Sequence, residues 1–215
     1  MKPIHITISP TNDKLECGAS RFLGNPDLPR GHGYPMYTDD EGDDYPYFFV
    51  CQINMEDIAR YDTEGLLPHK GLLSFFAKID RYIGFPDVAD TVGGYISDAD
   101  AVRVIYFPST ADMVETVLVD DNDEQSSPEE MRMEFGSAAE PLGEEHAMLA
   151  PPDHRPWETW DPPYEGHIIL LQIDSCEGDG FVLNFMDWGV MDFLIAPEDL
   201  AARRFGNVRA IVLST

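Results

Sequence analysis

The chain has 215 residues and sets 14 Lys and Arg against 40 Asp and Glu, a formal net charge of −26, with 43% hydrophobic residues and three cysteines. Its apolar runs stop near four residues, as at 168–171, whereas a membrane helix needs about twenty, so a bilayer span is excluded. Nucleic acid and anionic lipid are excluded as partners on charge: both carry the sign of this chain, and counterion-release binding needs Lys and Arg clusters.

At this length a single domain over residues 1–215 is expected, exposing on the order of 10,000 Å². Net charges then stand roughly 20 Å apart, beyond the ~8 Å Debye length at physiological salt, so the fold tolerates its own repulsion. What such a field favours is a basic protein, met with electrostatic steering. The opening residues Ile4-His5-Ile6-Thr7-Ile8 alternate in polarity and read as a strand rather than a secretion signal, and three cysteines without C-x-x-C spacing read as reduced thiols. The expected setting is cytoplasmic, with no cofactor and no metal.

In chain order, β-branched and aromatic runs predict strands at 4–9, 47–53, 72–77, 102–107, 115–119, 167–173, 181–185, 191–195 and 208–213. Helix signals are fewer. Asn54-Met55-Glu56-Asp57 and Ser127-Pro128-Glu129-Glu130 have the spacing of capping boxes. Pro197 opens a run to Phe205 with acids first, Arg last and Gly206 beyond, the ordinary order of helix-end residues. Strands without regular βαβ alternation, broken by short helices, predict an α+β fold with a mainly antiparallel sheet. An acidic excursion is expected at about 110–146. The runs 48–54 and 168–174 both close on Gln-Ile-Asn/Asp, an internal echo that suggests two related half-domains packed as one globule.

Two groups of residues are candidate sites. Gln52 with Asn54, and Gln172 with Asp174, are i, i+2 pairs that project from one face at the end of an apolar strand, where they are able to line a ligand pocket or satisfy nearby backbone. Asp39, Asp40, Asp43 and Asp44 form an acidic cluster, and Trp157 and Trp160 lie in a Pro-rich stretch; exposed, they would suit a protein interface. No catalytic motif is present. The six histidines fall largely in loop sequence without metal-ligand spacing, and the calcium-like run from Asp121 lacks the glycine its turn requires.

Several blocks resemble the YwqG-like family, a bacterial domain family of unknown function. They are Phe22-Leu23-Gly24-Asn25-Pro26-Asp27-Leu28-Pro29-Arg30-Gly31 followed by Tyr34-Pro35, the strand and helix start at 48–58, Leu67-Pro68-His69-Lys70-Gly71-Leu72-Leu73-Ser74-Phe75-Phe76, and the late blocks 170–175, 187–195 and 197–205. Leu23, Tyr34 and Met186 depart from the family pattern, which has Gly, Trp and Gly there. The resemblance implies a shared fold and no settled reaction. Two functions are therefore expected in competition. One is a non-catalytic binding or accessory domain, immunity- or inhibitor-like, that engages a cationic protein. The other is a small-ligand binder or enzyme with a polar pocket at Gln52, Asn54, Gln172 and Asp174.

Overall fold

The computed structural model describes residues 1–79, 92–119, 122–137, 145–150, 163–178 and 181–213. The first strands are β1 (Ile4–Pro10), β2 (Arg21–Phe22), β3 (Asp27–Pro29), β4 (Met36–Thr38), β5 (Asp44–Pro46) and β6 (Phe48–Asn54). They are followed by α1 (Met55–Ile58), β7 (Leu72–Ala77), β8 (Val102–Phe107), β9 (Met113–Glu115), β10 (Met131–Gly136) and β11 (Ala147–Ala150). Last come β12 (Ile168–Asp174), β13 (Cys176–Gly178), β14 (Phe181–Leu183), β15 (Val190–Ile195), α2 (Pro197–Ala201), a 3-10 turn at Phe205–Asn207 and β16 (Arg209–Leu213).

Ten of these strands make one antiparallel sheet in the order β16-β15-β12-β11-β1-β10-β2-β6-β7-β8, curled into a nearly closed barrel. The α+β expectation is thereby corrected: strand makes up 42% and helix 7% of the described residues, so the class is antiparallel β. The capping signals at Asn54 and Pro197 do start helices, with Asn54 accepting the Glu56 N–H, but these run four and five residues. One turn repays little of the cost of helix nucleation, so such segments serve as corners of the sheet. The third signal fails for a visible reason. Glu130, which should reach back to cap a helix at Ser127, instead binds the Arg21 guanidinium at 2.8 Å and the Leu15 N–H at 2.8 Å. The chain then enters β10. Among the described residues no helix is long and apolar enough to cross a membrane.

The sheet's pairing repeats about its middle. From the two edges inward, β8-β7-β6-β2 and β16-β15-β12-β11 correspond strand for strand, and β1 and β10 meet at the centre with Thr7 opposite Glu134. Each first strand has crossed over: β1 pairs with β11, and β10 pairs with β2. Details repeat as well. β6 slips its register against β7 between Phe49 and Cys51, and β12 slips against β15 between Ile169 and Leu171. Leu23 and Leu149, each next after Phe22 and Met148 opposite those slips, both take a left-handed φ, at 57° and 53°. The Met55 N–H donates to the Gly71 carbonyl at 2.9 Å, as the Ser175 N–H does to Gly189 at 3.0 Å.

Inside the barrel, Phe75 of β7 meets Phe193 of β15 edge-on with ring centroids 5.2 Å apart. Residues such as Ile53, Leu73, Ile173 and Met191 surround them, all fully buried. Segment 93–97 bridges the gap by the β16 edge: the Val212 N–H reaches Gly93 O at 2.7 Å and the Ser97 N–H reaches Ala210 O at 2.8 Å. Two smaller apolar clusters cover the outer faces. One holds Leu28, Tyr47, Phe49, Phe76 and Phe107, under ribbons β3–β9 and β4–β5; the other holds Ile169, Leu194 and Ile211.

Candidate functional site

The paired amides of the sequence reading sit on these outer faces. Gln52 faces Ser74 across the β6–β7 pair and Gln172 faces Asp192 across β12–β15, while their neighbours Cys51, Ile53, Leu171 and Ile173 point into the barrel. Each pair is thus kept together, and the two pairs are held apart by the interior core. Their hydrogen bonds match. Gln52 Nε2 donates to Ala19 O at 2.8 Å, and Gln172 Nε2 donates to Glu145 O at 2.7 Å. The Asn54 N–H donates to Ser20 Oγ at 2.8 Å, and the Asp174 N–H to His146 Nδ1 at 3.0 Å. Asn54 Nδ2 donates to Gly18 O, while Asp174 Oδ2 accepts from the Glu145 N–H, both at 2.9 Å. Buried amides bind backbone groups here because an unmade bond would leave those groups desolvated.

Around Gln52 the sequence reading missed an ion-paired hub. Arg21 is 1% exposed and its guanidinium lies 2.9 Å from Asp27 and 2.8 Å from Glu130. Asp27 Oδ2 accepts three bonds, from Arg21, from Gln52 Nε2 at 2.6 Å and from the Gly18 N–H at 2.7 Å. Partial burial of the Cys17 thiol, with Asp27 beside it, pushes its pKa up to about 11. The hub also fixes two loops. Arg21 donates to Asn25 O at 3.3 Å, and Asn25 accepts the Ser127 hydroxyl at 2.6 Å.

Those loops wall a cavity of about 190 Å³. Gly24–Pro26 and Ser126–Pro128 form one side; Tyr34, Tyr37, Tyr47, Phe48 and Phe49, with Lys78, form the other. The tyrosine hydroxyls turn to backbone, Tyr34 to Tyr47 O at 2.9 Å and Tyr47 to Asp100 O at 2.6 Å, which leaves ring surface toward the cavity. Burial raises the Tyr34 pKa. The Lys78 ammonium lies 4.7 Å from the centroid of the Tyr37 ring and 2.8 Å from Asp100, whose pKa that hydrogen bond lowers.

Above this cavity stands the β4–β5 hairpin that carries the predicted acidic cluster. Its turn includes Gly42 at φ +93°, a conformation open to glycine and strained for other residues. Asp39 organises the turn, its Oδ1 accepting from the Glu41 and Asp43 N–H groups at 2.9 Å each, and Asp44 accepts the Thr38 hydroxyl at 2.6 Å. Asp40, Glu41, Asp43 and Asp44 are exposed. So are Met36 and Tyr45, each at 44%. At the hairpin's foot Tyr37 packs on Tyr47 with centroids 5.1 Å apart. Trp157 and Trp160 lie outside the described residues. The signal for this site was legible: tyrosines at 34, 37, 45 and 47 bracket the acidic run with a glycine inside it.

Taken together, fold and site define an acidic antiparallel β domain whose sheet repeats its pairing in two halves and whose first half joins an ion-paired hub to an aromatic cavity. The chain belongs to the DUF1963 family: the family described as Domain of unknown function (DUF1963) matches residues 20–153 and 130–212. This bears out the resemblance to the YwqG-like family. No curated protein matches the chain.

Proposed function

We propose that this protein is a non-catalytic binding domain that engages a cationic protein through the β4–β5 hairpin. The observation that carries this reading is the hairpin itself, four solvent-facing carboxylates set beside exposed Tyr45 and Met36. Aromatic and Met side chains supply contact area at interfaces, and a ring of charge of one sign accelerates encounter with the opposite sign about 10- to 1,000-fold. An immunity- or inhibitor-like role against a basic protein suits these features. We place the encounter in the cytoplasm on the ground that Cys17, Cys51 and Cys176 are free thiols. A ligand pocket at Gln52, Asn54, Gln172 and Asp174 has weaker support, because those side chains bind the backbone of their own halves.

The test is capture of partners from lysate of the source organism at low and moderate salt. It compares wild type with a hairpin variant (Asp40→Asn, Glu41→Gln, Asp43→Asn, Asp44→Asn) and with a control that removes as many exposed acids elsewhere (Asp13→Asn, Asp98→Asn, Asp112→Asn, Asp123→Asn). A basic protein held by wild type and control, released by salt and lost with the hairpin variant, supports the reading. Equal capture by all three overturns it.

A further inference from the structure

The cavity under the hairpin narrows the kind of partner, an inference that rests on the proposed function. Its volume of about 190 Å³ is close to that of an engineered apolar cavity of about 150 Å³ that holds benzene. One six-membered ring fits it. Its walls offer ring surface from Tyr34, Tyr37, Tyr47, Phe48 and Phe49, because the hydroxyls of Tyr34 and Tyr47 are turned to backbone carbonyls. The cation at the wall is already supplied: Lys78 lies over Tyr37 and pairs with Asp100. An incoming Lys or Arg side chain would meet that like charge at short range, whereas an aromatic ring would meet an ammonium that favours its π face. The charge around the mouth has the opposite sense. Asp40, Glu41, Asp43 and Asp44 stand on the hairpin overhead, and Asp100 is largely exposed beside Lys78.

We propose that this cavity is an anchor pocket for a Phe or Tyr side chain carried on a Lys/Arg-rich segment of the partner protein. The ring fills the pocket, and the flanking cations lie along the hairpin's carboxylates. Affinity is thereby divided between a salt-sensitive part at the hairpin and a salt-insensitive part in the pocket, as burial of an aromatic anchor within a polar rim requires.

The probes are the amidated peptides acetyl-Lys-Lys-Phe-Lys-Lys and acetyl-Lys-Lys-Ala-Lys-Lys, with p-cresol as a free ring, titrated into the full chain by calorimetry. Wild type should bind the Phe peptide at least about tenfold more tightly than the Ala peptide, the ratio given by burial of one aromatic side chain. Ser126→Trp, which places a ring at the cavity rim from an exposed position, should bring the ratio to about one. The hairpin variant should weaken both peptides and keep the ratio. Equal binding of the two peptides to wild type, or a ratio that survives Ser126→Trp, overturns the anchor pocket. If that equal binding is still lost in the hairpin variant, the cationic-partner reading stands without the pocket. Binding of neither peptide overturns both. p-Cresol bound as tightly as the Phe peptide, and indifferent to the hairpin variant, overturns the peptide segment in favour of a free aromatic ligand.

Discussion

Around Gln52 a buried arginine faces a buried carboxylate, while around Gln172 the place of Arg21 is taken by Ala147 and the carboxylate arrives on the neighbouring strand as Asp192. The amide frame is common to both: each Gln ties down the carbonyl two positions before its cross-strand partner, 2.8 Å to Ala19 and 2.7 Å to Glu145. What the two halves share among the described residues is therefore the amide, and in the first the Arg21–Asp27 ion pair is built onto it. That addition holds the Asn25 and Ser127 loops, and those loops wall the aromatic cavity. In the second half Ser20's place is held by His146, whose Nδ1 accepts the Asp174 N–H.

The comparison breaks most sharply at Asp27. Asp27→Asn leaves Arg21 buried with only Glu130 as its carboxylate and should cost about 3–5 kcal/mol, the range for opening a buried pair from one side. Asp192→Asn keeps the volume of the carboxylate that faces Gln172 across β12–β15, and its cost should be the smaller, under about 2 kcal/mol. Urea unfolding of the two variants measures both. Equal costs would mean that the ion pair contributes nothing beyond the shared frame.

A smaller effect tests the frame itself. Gln52→Ala and Gln172→Ala each leave a backbone carbonyl without its donor and should cost about 1–3 kcal/mol. Gln52→Ala belongs at the upper end, because Gln52 Oε1 also accepts the Asp27 N–H at 2.8 Å. A silent Gln172→Ala in the same denaturation experiment would show that the matching geometry conceals unequal roles.

Much of the sheet was legible in the sequence because its strands are rich in aromatic or β-branched residues: 72–77 and 102–107 coincide with β7 and β8, and 47–53 and 167–173 lie one residue before β6 and β12. The central strand was not. Met131-Arg132-Met133-Glu134-Phe135 alternates as a strand should, yet it lies within the acid-rich stretch, and counting charge concealed the period; Met131 and Met133 are buried at the sheet's middle. β11 carries as little signal, being four residues of Ala, Met and Leu with no β-branched side chain. The site divides the same way. The acids of the hairpin could be read locally, but Arg21 meets Glu130 across 109 positions of sequence, and no local pattern announces a partner at that separation.

The finest test uses Cys17 as a reporter of the first hub. Partial burial, followed by the charge of Asp27, holds its thiol up to about 11, although the residue is exposed. At pH 9 only about 1% of it is thiolate, so alkylation by iodoacetamide should climb roughly tenfold per pH unit and level off near pH 11, where an ordinary cysteine levels off near 8.5. Cys51 and Cys176 are buried and stay silent in the folded protein. The linkage has a definite sign. The folded state holds this proton more tightly than the unfolded chain, so the contribution to stability is complete below about pH 9 and is lost as pH rises toward 11. A Cys17 profile levelling near 8.5 would mean that the thiol is neither partly buried nor faced by the Asp27 carboxylate, and the ion-paired hub would then need a different geometry from the one that separates the two halves.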